Sequence, residues 1–281
     1  MKYQIFLMLS IVVIVFLSGC IEQKEKVSTV GLSLILTTDV KKTPTSAPVT
    51  FILTMKNLAS ESARDISAQL VNLTDWKVEN ALQGLDELLP NDLYKFSWIA
   101  YAPSTPNQTF TPVANIFYRM ETKANFKIRV YDNGYLNTLK SDEREKIKTK
   151  SALLSSAVSK KTPIAVTASL QQPFILASYS QKFPFVIEIK NVGLGQPYKD
   201  YANYPTREND KGYVKFEYTG NSSLICDFDD GDLVKLINGS KSIVCRLAIT
   251  EDDIYKYSDF SAEFSISYAY LDSSLLGIKV V

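Results

Sequence analysis

Apolar and polar residues alternate with a period of two through most of this chain, the pattern of half-buried β-strands. Residues 31–37 are apolar with partial alternation. Pro44 and Pro48 punctuate the next turn, and residues 49–55 form a strong strand ending at Lys56-Asn57. The second half repeats this opening: residues 163–170 read as a strand, Pro173 follows, and a second strong strand ends at Lys190-Asn191. Phe51-Ile52-Leu53-Thr54-Met55-Lys56-Asn57 matches Phe185-Val186-Ile187-Glu188-Ile189-Lys190-Asn191 position by position, with Thr54 and Glu188 in the outward slot.

The ends of the halves match as well. Ala124-Asn125-Phe126-Lys127-Ile128-Arg129-Val130-Tyr131 aligns with Ala262-Glu263-Phe264-Ser265-Ile266-Ser267-Tyr268-Ala269. Phe126, Ile128 and Val130 share one side, as do Phe264, Ile266 and Tyr268. The first match is offset by 134 residues, Phe51 to Phe185, and the second by 138, Phe126 to Phe264. Two matches in the same order at nearly the same offset predict a tandem duplication of one fold.

Asp132-Asn133-Gly134, Asp230-Gly231 and Asn238-Gly239 read as hairpin turns, since these residues tolerate positive φ. Strands spaced by such turns predict an all-β chain of two tandem sandwiches. The expected division is a leader over 1–19, a polar tether over 20–29, a first sandwich over 30–139, a charged helix and linker over 140–162, and a second sandwich over 163–281. Residues 141–148 favour a short helix, with Ser141 or Asp142 as N-cap and acidic residues in the first turn. The Ser- and Ala-rich residues 151–161 read as linker.

Composition narrows the chemistry. Histidine is absent, which removes Ser-His-Asp and Cys-His nucleophile activation and His-based proton shuttling. Lys and Arg total 31 against 30 Asp and Glu, so no overall field recruits nucleic acid. No Gly-rich strand-to-helix turn of a nucleotide fold occurs, and no cofactor or metal ligand set is read from the sequence.

At the N-terminus, Lys2 precedes an apolar run over 5–17 and then Leu17-Ser18-Gly19-Cys20, the layout of a secretory signal. That tetrapeptide resembles a lipobox, which implies cleavage before Cys20 and lipidation of its thiol. An uncleaved anchor through the same run stays open, although it is shorter than the roughly 20 residues of a spanning helix. Either way the body is expected on the extracytoplasmic face of the cell membrane. Cys226 and Cys245 are then an even pair in an oxidising space and predict a disulfide, with two buried free thiols as the alternative.

The repeated strand with its Lys-Asn end, entered from a Pro-containing turn, resembles Ig-like adhesion modules of prokaryotic surface proteins. Ile187-Glu188-Ile189-Lys190-Asn191-Val192-Gly193 resembles the strand end of the cell-adhesion-related domain of bacteria and archaea; the first half departs from it with Leu58-Ala59. With the lipobox, the whole resembles an archaeal surface lipoprotein carrying two such modules. The resemblance implies a fold and a location and carries over no catalytic residue.

Four sequons, at Asn72, Asn107, Asn221 and Asn238, are candidate glycosylation acceptors in an exported chain. Asp227-Phe228-Asp229-Asp230-Gly231-Asp232 has a calcium-loop flavour with the wrong spacing and reads as a hairpin turn. Trp98 alternates as a core residue, and Trp76 is a candidate platform aromatic. Tyr198, Tyr201 and Tyr204 lie in a long aromatic loop, residues 194–212, the expected binding surface. The function expected is non-enzymatic: a lipid-anchored envelope component that contacts other surface proteins or glycans. A carboxylate-based hydrolase or accessory subunit, and a solute- or glycan-binding lipoprotein, are the alternatives.

Overall fold

The computed structural model describes residues 28–170, 172–177, 179–204, 206–218, 224–227 and 231–281. Cys20 with its leader, Asn221, and the acids Asp229 and Asp230 lie outside the described residues.

The first half contains β1 (Leu32–Thr38), β2 (Lys42–Thr43), β3 (Pro48–Asn57), β4 (Ala63–Val71), β5 (Lys77–Val78), β6 (Leu82–Leu88), β7 (Leu93–Tyr101), β8 (Gln108–Phe110) and β9 (Val113–Asp132). Helices α1 (Asn133–Thr138) and α2 (Ser141–Lys148) and strand β10 (Leu153–Val158) follow. The second half contains β11 (Ile164–Ser169), β12 (Phe174–Leu176), β13 (Ser180–Asn191), β14 (Gln196–Tyr198), β15 (Tyr213–Tyr218), β16 (Leu224–Cys226) and β17 (Leu233–Lys235). It ends with β18 (Ser240–Thr250), β19 (Tyr257–Leu275) and β20 (Ile278–Val280).

The chain is all-β and forms two sandwiches. One four-stranded sheet runs β1-β3-β7-β5, and its counterpart in the second half runs β11-β13-β18-β16. Period-two alternation decides their faces: Phe51, Leu53 and Met55 point inward, as do Phe185, Ile187 and Ile189. The registers repeat too, with Asn57 opposite Leu32 and Asn191 opposite Ile164. Trp98 is core, opposite Phe51 on the neighbouring strand. Trp76 is core as well, packed edge-on against Phe51 and Phe110, so it is no platform.

The repeated Asn does the same work twice. Asn57 Oδ1 accepts from the Ala59 amide at 3.0 Å, and Asn191 Oδ1 from the Gly193 amide at 3.2 Å. Asn57 Nδ2 donates to the carbonyl of Glu61 at 2.8 Å, and Asn191 Nδ2 to that of Gly195 at 2.9 Å. Each side chain thus closes the turn by which the chain leaves its four-stranded sheet.

Both sandwiches are completed by one nine-stranded sheet whose path runs β17-β15-β19-β9-β4-β6. Its spine is the antiparallel pair β9–β19, in register from residues 113–131 against 275–257. The strand order reads alike from either edge, and the sequence match explains why. Asn125 lies opposite Glu263, its own equivalent, with Nδ2 donating to Oε1 at 2.9 Å. Ala124 faces Phe264 and Phe126 faces Ala262 on either side of that pair. The two copies therefore meet antiparallel, through the same strand of each, about an approximate two-fold axis through Asn125–Glu263.

Each long strand serves both lobes. Ser274 Oγ of β19 accepts from the Leu36 amide of β1 at 3.0 Å, and Thr122 Oγ1 of β9 donates to the Ile164 carbonyl of β11 at 3.0 Å. Even-numbered positions of both spine strands are buried from Ala114 to Val130 and from Ala262 to Ser274. Both four-stranded sheets thus cover the same face of the long sheet, over one continuous apolar core. The lobes are joined by this shared spine, not by the 140–162 segment alone.

Residues 132–162 differ from expectation in three places. Asp132-Asn133-Gly134 is not a hairpin turn but the start of α1, where Asp132 Oδ2 accepts from the Tyr135 amide at 2.6 Å; a residue that suits a turn also suits an N-cap. The N-cap of α2 is Lys140 rather than Ser141 or Asp142, with Asp142 and Glu143 in the first turn and Lys146 and Lys148 in the last. Residues 153–158, expected as linker, pair as β10 with the second half of β9, whose flank β4 leaves free there. The Asn238-Gly239 turn forms as read: both residues have positive φ, and Ile237 and Ser240 exchange backbone hydrogen bonds across it.

Candidate binding surface

The outward face of the long sheet is rich in polar and charged side chains. It is interrupted where alternation fails. Residues 116–118 and 268–270 are buried in unbroken succession, so Phe117 and Ala269 need cover on the outer side. The 194–212 loop supplies it. Strand β14 pairs with β19, and Tyr198 and Ala202 pack on Phe117 and Ala269 with Tyr204 alongside.

Arg119, on β9 beside Phe117, fastens this strap. Its guanidinium donates to the carbonyls of Asp200 at 2.7 Å and Ala202 at 3.1 Å, to Asn203 Oδ1 at 3.1 Å, and to Asp65 Oδ2 at 2.7 Å. Tyr204 donates to Gln69 Oε1 at 2.5 Å, and Ser267 Oγ to Asp200 Oδ2 at 3.2 Å. The loop expected as a binding surface thus serves as a structural strap, and its outer side, with Tyr201, Asn203 and Tyr204, lines a cavity of about 660 Å³. Tyr198 is buried and Tyr204 is engaged; Tyr201 alone of the three is exposed, with the Lys199 ammonium 5.6 Å from its ring centre. The sequence signal for this was the loss of alternation at Phe117 and Ala269.

Beside the strap the outer face sinks into two adjoining clefts at the two-fold axis. One, about 340 Å³, is lined by Arg64, Asp65, Arg119 and Asp200. The other, about 480 Å³, is lined by Asn125, Ala157, Ser159 and Glu263. Glu61, Glu121 and Lys123 line both. Charges of both signs are held in place: Ser159 donates to Glu61 at 2.8 Å, Ser265 donates to Glu121, and the Lys123 ammonium sits 3.6 Å from Glu121. Further along, Arg129 hydrogen-bonds Asp259 at 2.6 Å and 2.9 Å and holds its carboxyl below the usual carboxylate range, while burial opposes that shift. Such a floor is rich in donors and acceptors and carries more acids (Glu61, Asp65, Glu121, Asp200 and Glu263) than bases (Arg64, Arg119 and Lys123), which suits a polar, uncharged or weakly basic partner such as a sugar face or a peptide backbone. Sequence reasoning missed these clefts because they arise where the two copies meet.

The remaining candidates are scattered. Cys226 and Cys245 are direct cross-strand neighbours on β16 and β18, and their sulfurs are joined. Asn72, Asn107 and Asn238 are exposed at positive φ outside the strands, though the Asn72 amide donates to the Thr111 carbonyl at 2.6 Å. Among the described residues no group of three or more His, Cys, Asp or Glu is placed to hold a metal ion, and no helix is long and apolar enough to cross a membrane.

No protein-family model matches the chain, and no curated protein matches it. Solved structures offer weak likenesses. A PapD-like domain of human CEP192 is 11% identical at a TM-score of 0.20, over 36% of this chain and 80% of that one. The secreted serine protease VesC from Vibrio cholerae is 11% identical at 0.24, over 90% of this chain and 52% of that one. Collagen adhesin from S. aureus is 9% identical at 0.14, over 89% of this chain and 88% of that one. At these TM-scores none carries an argument about this chain.

Proposed function

We propose that this chain is a lipid-anchored protein of the extracytoplasmic face, and that its two-lobed β-body is a non-enzymatic interaction module. The observation that carries the reading is the combination of the Leu17-Ser18-Gly19-Cys20 leader with a cystine joining Cys226 to Cys245. A stable structural cystine belongs to an oxidising compartment, and the leader provides the route there. The shared spine supports a presenting role, because a body with one continuous core holds its surfaces in fixed relation. The clefts around Asn125 and Glu263 are the surface it presents, and a glycan or another envelope protein is the partner.

Photo-crosslinking on intact cells tests this. A crosslinking side chain at position 125 is expected to capture a discrete envelope partner, whereas one at position 235, on the sheet edge, captures none. Equal, diffuse labelling from both positions contradicts the assignment. So does turnover of an envelope substrate that is abolished by Glu121→Gln or Glu263→Gln with the fold intact, which makes the chain an enzyme.

A further inference from the structure

Charge is divided unevenly between the two broad faces. The strands of the two four-stranded sheets carry seven basic residues and one acidic residue, Glu188. The strands of the long sheet carry seven basic and nine acidic residues. On the long sheet the charges pair with one another, as in Arg64–Glu87, Arg119–Asp65, Arg129–Asp259 and Lys215–Glu217. On the opposite face Arg246 pairs with Asp227. There Lys56, Lys95, Lys182 and Lys190 are exposed, as are Lys160 and Lys161 at the seam between the lobes. None of these six has an ion-pair partner within 4.0 Å among the described residues. Aliphatic side chains stand exposed between them, Ile35 and Ile99 on one lobe and Val186 and Val244 on the other.

The tether joins the body in the middle of this face. The Gly31 amide donates to the Lys161 carbonyl at 2.7 Å, and Ser60 and Lys160 are bonded to each other at 2.8 Å and 2.9 Å. Lys56 lies opposite Ser33, and Lys190 lies opposite Ala165, two residues beyond the Pro163 ring that packs against Gly31. Four unpaired lysines thus surround the point where the chain from Cys20 arrives. Eight residue steps separate Cys20 from Ser28, a reach of at most about 29 Å. Strand β9, with its 20 residues, is about 66 Å long. An anchor shorter than half the spine, attached near its middle, keeps this face close to the bilayer.

We infer that the face built by the two four-stranded sheets docks on an anionic lipid surface, with Lys56, Lys160, Lys161 and Lys190 as the headgroup contacts. The inference rests on the lipid anchor proposed above. The exposed aliphatics rest at the headgroup level, and the cleft-bearing face is turned away from the membrane toward partners. Each lysine near such a surface gains about 1 kcal/mol, a factor of about five in occupancy of the docked state.

The test is amine-reactive footprinting of the mature full-length protein in phosphatidylcholine vesicles, with and without phosphatidylglycerol. Labelling of the four seam lysines is expected to fall about fivefold in the anionic vesicles and to recover at high salt, while Lys127 and Lys215 on the far face stay unchanged. Equal labelling in both vesicles, with the protein anchored in each, overturns the docking. Protection by soluble dextran sulfate but not by anionic vesicles also overturns it and assigns the face to an envelope polymer. Failure to stay with neutral vesicles is a failure of the anchor instead; the unanchored chain is then sedimented with anionic vesicles, and absence of binding overturns the docking separately.

Discussion

Asn57 and Asn191 occupy equivalent positions in the two copies, and their surroundings set different costs for removing them. The Asn57 side chain is fully buried. Asn57→Ala strands the amide of Ala59 and the carbonyl of Leu88, both on buried residues, while the Glu61 carbonyl is only partly buried. Each buried orphan costs about 1–3 kcal/mol, so the sum is about 3 kcal/mol. For a chain of this size that corresponds to a fall in Tm of about 6–12 °C. Asn191 has three partners as well, Gly193, Gly195 and Tyr270, but all three bonds are part-buried and water replaces some of what is lost. Asn191→Ala is expected to cost about half as much. Thermal unfolding of both variants and of the wild type measures the difference. Asn57→Ala melting within about 1 °C of wild type, or Asn191→Ala falling further than Asn57→Ala, refutes the reasoning that the Lys-Asn repeat is a turn-closing device ranked by burial.

Arg119→Ala removes three donations to the strap and is expected to raise amide exchange at residues 199–204 by about tenfold or more; unchanged exchange means Arg119 does not hold it. Reduction of the cystine, which closes a separation of 19 residues, is expected to cost about 3 kcal/mol, and an unchanged Tm refutes that. Burial raises the Asp272 carboxyl above its ordinary range against a weaker pull from the Ser273 amide. A folded-state value above the unfolded one means the folded protein binds the proton more tightly, so wild type gains stability as pH falls through the raised value toward the ordinary one. Asp272→Asn lacks that gain; the variant is expected to be the more stable near neutral pH and to lose its advantage by about pH 4, and a pH-independent difference contradicts this.

Much of the architecture was legible because alternation is a local property. It marked Phe51, Trp98, Phe185 and Phe264 as core and Thr54 and Glu188 as outward, and turn chemistry placed Asn238-Gly239. Alternation says which face a strand buries but not which strand lies beside it. The β9–β19 pairing, between residues 126 to 162 positions apart, was therefore hidden, although the unusual length of the alternating run to Asp132 was a clue. Strand β10 was missed because Ser155, Ser156 and Ala157 carry little side chain and are exposed, so nothing in their pattern reports a partner. The strapping role of the 194–212 loop was hidden because three tyrosines near two prolines look alike whether they cover a protein surface or await a ligand. The clefts had no sequence signature, since Glu61, Asn125, Ser159 and Glu263 converge only through the internal symmetry.

Export and lipid anchoring of this body are read from the intact mass of the protein purified from native membranes, before and after thiol reduction and deglycosylation. The expected mass is that of residues 20–281 plus lipid, with a gain of about two daltons on reduction as Cys226 and Cys245 take up hydrogen. A mass equal to uncleaved residues 1–281, unchanged by reduction, contradicts it.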